Sequence, residues 1–272
     1  MISVIIVNHD GEAHLGRCLE SLGGSGTEVL LVDNASRDGS VGFVQDRFPD
    51  VQVLEQEENL GFAAANNLAA ARAGGEALLL LNADAWLEPG ALGLLEAALD
   101  DRPEIGLVAP RLRYPDGRRQ FSWSPARGVF GEVLQKALNP FEAQAWPHGS
   151  LVRLLARLVG KPWYTAACVL VRAEAYRAIG GFDETFFMYF EDVDLCLRLE
   201  AAGWRLAQEP GAVVCHAGGV ASRAEVADLY RPSQLRYYRL HRPRWEGRLV
   251  ERRLRRRFGD AAVNGWLAAG EG

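Results

Sequence analysis

Residues 61–84 read GFAAANNLAAARAGGEALLLLNAD, and this stretch decides the fold. Residues 61–73 are rich in alanine, the strongest helix former, and Gly74–Gly75 supply a stop. Residues 77–81 then form an unbroken apolar run of strand length that ends on Asn82-Ala83-Asp84. A strand that is apolar at every position must be covered on both faces, and alternation of such strands with helices predicts a parallel sheet between helical layers. The same alternation continues upstream. Residues 3–7 are a β-branched run, a helix is expected over 12–22, residues 29–32 form a second strand, and 51–54 read as a short strand. Ser36-Arg37-Asp38 is the expected start of the helix between those last two. The short loops after these strands open at one edge of the sheet, where open α/β folds bind ligands.

Downstream the pattern loosens between residues 111 and 160, with turns at 114–117 and 122–125 and short helical pieces expected beyond them. Order resumes with a strand over 168–171, a helix near 173–179, and two short strands at 205–207 and 213–215. The 272 residues, 49% of them hydrophobic, suffice for one large α/β domain with an appendage. A net charge of −5 argues against wholesale nucleic-acid binding. Cys18, Cys168, Cys196 and Cys215 lie far apart without CxxC spacing, which disfavours thiolate zinc and makes a reduced, cytoplasmic setting the default. The apolar start, ISVIIVN, reads as a buried strand rather than a signal peptide, and no run reaches membrane-span length.

Residues 180–204, GGFDETFFMYFEDVDLCLRLEAAGW, carry the clearest chemistry. Phe182, Phe186, Phe187, Tyr189 and Phe190 form an aromatic run that looks exposed, and a helix pattern then begins through Leu195, Leu199 and Ala202. Glu191 and Asp192 fall at the helix N-terminus, where the backbone dipole favours ionised carboxylates. They are either ordinary first-turn acids or a general base beside a sugar-binding surface. Asp33, at the end of the second strand, is either a ligand for a base or ribose or an N-cap, a role Ser36 would fill better. Asn59-Leu60-Gly61 precedes the Ala-rich helix, where small residues allow a diphosphate or sugar to approach a helix N-terminus. Asp84 at the end of the most apolar strand needs a partner, and a divalent cation holding a diphosphate is one. His216 is either a structural histidine or a nitrogen ligand that tilts the choice toward Mn²⁺ over Mg²⁺. Asn8-His9-Asp10-Gly11 follows the first strand in place of GxGxxG, and neither a GxxxxGK[ST] nor a GxSxG motif occurs.

Taken in order, SVIIVNHDGEAHLGRCLESL, VLLVDNAS, ENLGFAAANN, LLLLNADAWLEPG, GGFDETFFMYFEDVDLCLR and VVCHAGG resemble the family-2 inverting glycosyltransferases, especially their rhamnosyltransferase-like branch, over about residues 2–220. The resemblance implies a GT-A fold: one nucleotide-sugar-binding α/β domain over 1–220, mostly parallel in its sheet, with a donor half of about 1–110 and an acceptor half of about 111–220. Residues 221–272 would be an Arg-rich helical extension. It implies Asn8, Asp33, Asn59, Gly61, Asn82 and Asp84 as donor-binding residues, with Asn82-Ala83-Asp84 in the place of the DxD motif. Asp192 would be the catalytic base, with Glu191 beside it, and Asp84 and His216 would hold Mn²⁺ or Mg²⁺. The implied reaction moves a sugar, rhamnose-like by the branch, from a dTDP- or UDP-linked donor to a glycan or lipid-linked acceptor in cell-envelope polysaccharide synthesis. The rival reading is a catalytically silent nucleotide-sugar-binding protein. Asn82 departs from the first Asp of the DxD motif. Tyr164-Thr165-Ala166-Ala167-Cys168 departs from a Ser-Gly-Ala-Cys-like run, so the acceptor does not carry over.

From Tyr230 onward arginines alternate with Tyr237, Tyr238, Leu240, Trp245, Leu249, Leu254 and Phe258 in an amphipathic helical pattern. One reading is peripheral contact with the inner face of an anionic membrane. The other is a solvated helical pair or a partner-subunit contact, and nucleic acid is disfavoured by the acidity of the rest of the chain.

Overall fold

The computed structural model describes residues 1–24, 26–125, 128–129, 131–132, 162–218 and 223–269. The N-terminal strands and helices appear in the expected order: β1 (Ile2–Asn8), α1 (Glu12–Glu20), β2 (Glu28–Asp33), α2 (Ser40–Arg47), β3 (Gln52–Glu55), α3 (Gly61–Ala70) and β4 (Ala77–Asn82). There follow β5 (Ala85–Leu87), α4 (Ala91–Asp100), β6 (Ile105–Arg113), β7 (Arg119–Gln120), β8 (Trp123–Pro125), β9 (Pro162–Tyr164), β10 (Cys168–Arg172), α5 (Ala173–Ala178), α6 (Glu191–Ala201) and β11 (Arg205–His216). Three helices close the chain: α7 (Arg223–His241), α8 (Arg244–Phe258) and α9 (Asp260–Ala269). Residues 133–161, where short helical pieces were expected, lie outside the described residues, as does Gly219.

The main sheet runs β3-β2-β1-β4-β10-β6-β11-β5, with β7 added to β6. β1 through β4 are parallel, whereas β10 runs antiparallel to both β4 and β6, so the sheet is mixed beyond β4. Ile5, Leu30 and Leu80 point into a core closed by α3, α5, α6 and the C-terminal helices. Ile6, Leu31 and Leu79 point the other way, against α1, α2 and α4. Covering both faces is the reason these strands are apolar at every position. Parallel register pairs Asn8 with Asp33 and Val7 with Asn82, which brings three of the expected site residues to one sheet edge.

Three local expectations change. The stretch 205–216 is one bulged strand rather than two, because both of its ends pair with β6 across an irregularity between Glu209 and Val213. α2 starts at Ser40, not Ser36. The Asp38 carboxylate accepts the Ser40 N–H at 3.0 Å, while the Ser36 hydroxyl is drawn to Asn8 and Asp10. The aromatic run is mostly interior: Phe182, Phe186 and Phe190 are buried, and only Phe187 is well exposed, at 39%. All four cysteines are free and buried, and burial pushes the Cys18, Cys168 and Cys196 thiols far above their ordinary value, leaving them unreactive. Among the described residues no helix is long and apolar enough to cross a membrane.

Gly106 in β6 shows how tightly the layers meet, since a Cβ there would lie 2.8 Å from the Trp204 Cβ and 3.2 Å from the Ala175 Cβ. Gly106→Ala should therefore cost about 1–3 kcal/mol by overpacking. In urea unfolding this appears as a lower midpoint at unchanged slope; an unchanged midpoint would show that the layers give way freely.

Candidate active site

The loops after β1, β2 and β3 enclose a cleft lined by His9, Asp10, Ser36, Arg37, Gln56 and Asn59. Its floor is a buried polar network. The Asn8 amide donates to the Asp33 carboxylate and to the Ser36 hydroxyl, both at 3.0 Å, and Asp33 also accepts the Ser36 N–H at 3.0 Å. Asp33 is thus an anchor of the β1 and β2 loops, and its 3% exposure leaves a narrow approach for a ligand. Asn34 joins this floor to the next loop. Its amide donates to Asn59 at 2.8 Å and its carbonyl accepts the Leu60 N–H at 2.8 Å, while Asn59 accepts the Gly61 N–H at 2.9 Å. Gly61 opens α3 at φ 82°, and a Cβ there would sit 2.5 Å from the Phe187 carbonyl, so only glycine fits.

At the end of β4 the antiparallel pairing of β5 with β11 sets His216 opposite Ala85. His216 Nε2 consequently lies 3.2 Å from Asp84 Oδ1 and 3.3 Å from the Asn82 amide nitrogen. Gln120 Oε1, an acceptor, stands 3.1 Å from His216 Nδ1, which assigns that nitrogen the proton and turns Nε2 toward Asp84. Burial pushes the Asp84 carboxyl up, but the His216 hydrogen bond and charge, His14 and the Gly218 N–H outweigh it and hold the group below its ordinary value. Asn82 Oδ1 is buried with no hydrogen-bond partner, an open acceptor directly beside this pair. Among the described residues no three His, Cys, Asp or Glu side chains gather as a metal cluster. A one-carboxylate, one-imidazole site with an orphaned acceptor suits a cation that completes its shell with phosphate oxygens and water.

The carboxylate pair lies at the start of α6, as expected. Tyr189 and Phe190, just before it, both adopt left-handed backbone (φ 69° and 68°), a strain of about 1–2 kcal/mol per residue. Glu191 is buried, whereas Asp192 is half-buried and accepts the Val193 N–H at 2.8 Å. One turn further on, Cys196 contacts the Tyr164 backbone, and Ala167 in the same loop accepts the Asn82 N–H at 3.0 Å. The loop at 164–167 therefore bridges the carboxylate helix and the Asp84 strand. The aromatic segment is bound to α3 as well: Phe62 N–H reaches the Phe187 carbonyl at 2.8 Å, and Asn67 bonds Phe182 and Glu184, each at 2.9 Å.

Behind this turn stands α7. Ser233 donates to the Met188 carbonyl at 2.8 Å, and the Tyr230 and Tyr237 rings both centre 5.1 Å from Phe190. Buried Asp194 takes Arg198 at 2.6 Å and His241 at 2.7 Å. The sequence reading missed Asn34, Gln120, Asn67 and His241. Asn34 alone carried a signal, standing beside Asp33 at a strand end.

A family model described as glycosyl transferase family 2 matches residues 3–179. The N-acetylglucosaminyl-diphospho-decaprenol L-rhamnosyltransferase of Mycobacterium tuberculosis is 33% identical over 237 residues, covering 79% of this chain and 76% of that protein. The O-antigen biosynthesis protein RfbC of Myxococcus xanthus is 32% identical over 73% of this chain and 15% of its own length. The mannosyltransferase PcManGT of Pyrobaculum calidifontis, solved with GDP-Man and Mn²⁺, superposes with a TM-score of 0.60 at 20% identity, covering 98% of this chain and 73% of that one. The chain belongs to glycosyl transferase family 2: it is a glycosyltransferase with the GT-A fold.

The Asp194 cluster yields a direct test. His241→Ala removes one hydrogen bond to a buried carboxylate and should cost about 1–3 kcal/mol. Asp194→Ala takes the carboxylate from both Arg198 and His241, leaving Arg198 only its carbonyl bonds to Ile179 and Gly181, and should cost more, about 3 kcal/mol or above. Equal losses in urea unfolding would contradict this ranking.

Proposed function

We propose that this enzyme transfers a rhamnose-like sugar, with inversion, from a dTDP- or UDP-linked donor to a hydroxyl of a glycan or lipid-linked acceptor in cell-envelope polysaccharide synthesis. The observation that carries the reading is the Asp84–His216 contact at 3.2 Å, beside the cleft at the strand ends and one loop away from the Asp192 helix. The rhamnosyl donor and lipid acceptor are supported by the named activity of the mycobacterial relative. Residues 1–110 would serve the donor and 111–220 the acceptor, with residues 221–272 as the extension that contacts the membrane carrying that acceptor.

The nucleoside lies in the cleft walled by Asp10, Ser36 and Asn59, above the Asn8–Asp33 floor. The diphosphate extends past the α3 N-terminus, where Gly61 permits close approach, toward Asn82, Asp84 and His216. Asp84 and His216 are the residues that would hold Mn²⁺ or Mg²⁺, with nitrogen ligation favouring Mn²⁺, and a bound cation would neutralise charge on the diphosphate. A structural neighbour solved with Mn²⁺ supports a divalent metal. The Asp192 carboxylate accepts the proton of the acceptor hydroxyl. That oxygen forms the new bond to the anomeric carbon from the opposite face, the bond to the diphosphate oxygen breaks, and its electron pair departs with the nucleoside diphosphate. Phe187 and Tyr189 border the acceptor side and limit access of water.

Asp192→Asn should lower kcat by about 10²–10⁴-fold, the usual contribution of a general base, with donor affinity kept. Steady-state kinetics alongside donor titration calorimetry checks both, and substantial turnover by this variant would move the base elsewhere, Glu191 first. Activity should vanish in EDTA and return with Mn²⁺ or Mg²⁺. Asp84→Ala should weaken donor binding more than His216→Ala, since a carboxylate is the stronger ligand for a hard cation. Full activity in chelator would leave Asp84 a structural acid.

A further inference from the structure

The C-terminal helices gather positive charge that the catalytic chemistry leaves unused. Between residues 231 and 258 there are eleven arginines and two glutamates, in a chain of net charge −5. α8 buries Glu246, Val250 and Leu254 on one side. At 100° per residue, Trp245, Leu249, Arg252 and Arg256 fall within about 60° of one another on the opposite side. Trp245 is 53% and Leu249 48% exposed there, and Leu240 at the end of α7 adds a third exposed apolar side chain. Beside this face, α7, α8 and α9 enclose a notch. Leu235, Tyr238 and Leu267 contribute its apolar wall, and Arg239, Arg244 and Arg248 line it as well. Two other lining groups are already engaged: Arg242 pairs with Glu246 at 2.7 Å, and Glu251 pairs with Arg255 at 2.8 Å. Arg244 and Arg248 have no carboxylate partner among the described residues.

We propose that the notch and the outer face of α8 form a site for an anionic phospholipid of a bilayer surface. Arg244 and Arg248 hold the headgroup phosphate, and Trp245 and Leu249 enter the boundary between headgroups and acyl chains. Cationic side chains interleaved with a tryptophan and leucines match what an interfacial helix needs. A nucleic acid would use the charge and the tryptophan but has no use for exposed leucines, and a second copy of the same cationic face would repel it. α7 carries part of the notch and also braces Phe190 and Asp194, so the lipid site and the carboxylate helix are mechanically joined. The proposal rests on the reading of a membrane-presented acceptor, but its test uses no transfer reaction, so the two fail separately.

The full-length chain is sedimented with vesicles of phosphatidylcholine alone or with added phosphatidylglycerol, at low and high salt. Binding to the anionic vesicles at low salt, weakened by salt and absent from phosphatidylcholine, is the expected result. The double variant Arg244→Glu/Arg248→Glu should lose at least about tenfold in vesicle affinity, since each basic residue near an anionic surface adds to binding. Trp245→Ser/Leu249→Ser, both at exposed positions, should also lose vesicle binding while donor affinity by calorimetry stays at the wild-type value. Full-length protein left in the supernatant with anionic vesicles at low salt would overturn the proposal. So would wild-type sedimentation of the charge-reversed variant. Thermal stabilisation by inorganic phosphate without vesicle binding would reassign the notch to a free anion, and retention on duplex DNA without vesicle binding would reassign the face to nucleic acid; either overturns the lipid site.

Discussion

The backbone pairing of β5 with β11 is the constraint on which the site depends. β5 is only three residues long, yet it returns the chain directly after Asp84 and lays it against the end of β11. The Ala217 N–H then reaches the Asp84 carbonyl at 3.0 Å and the Gly218 N–H reaches its carboxylate at 3.1 Å. Two main-chain bonds thus hold the acid before any ligand arrives. His216 takes its place because it faces Ala85 in that register, and a shift of one residue would turn its ring to the other face of the sheet. Preorganisation of this kind lowers the ordering that any ligand at this edge of the sheet would have to bring about.

The turn that leads into Glu191 and Asp192 is strained, and the bracing around it holds that strain in place. Two consecutive non-glycine residues in left-handed conformation would relax if they were free to do so. Here Phe190 is clasped between aromatic rings of α7, Met188 is held through its carbonyl, and Arg198 bonds the carbonyls of Ile179 at 2.9 Å and Gly181 at 2.7 Å. The turn and the first turn of α6 therefore share one set of supports. The extension beyond residue 223 is consequently part of the same hydrophobic core as the sheet, and Tyr237 and Tyr238 are among the most deeply buried side chains of the molecule.

α3 links the cleft at the strand ends to the aromatic segment. Its first residue touches the Phe187 carbonyl, its N-terminal loop is bonded to Asn34, and Asn67 near its end accepts from Tyr176 at 2.6 Å while donating to Phe182. The alanines that form its body are small enough to let it lie close to β1 and β2.

The sequence by itself determined the alternation of strands and helices, the gathering of Asn8, Asp33 and Asn82 at strand ends, and the start of a helix at Glu191. Each of these follows from local periodicity and from stop signals, which act within a few residues. It also exposed Asp84 as an acid in need of a partner, because an apolar strand tolerates no unpaired charge. The resemblance already set His216 with it; only the tertiary structure put the two side chains in direct contact. The antiparallel entry of β10, the single bulged strand at 205–216, the place of Gln120 behind His216 and the bond from His241 to Asp194 all join segments far apart in the chain. The aromatic run looked like a surface because five rings beside acids fit a sugar-binding wall equally well. Three of them are interior: Phe182 packs on Phe62 of α3 and Tyr176 of α5, while Phe186 and Phe190 lie against Arg236, Tyr230 and Tyr237 of α7. Periodicity states which face of an element must be covered; it does not state what covers it, and that choice belongs to packing.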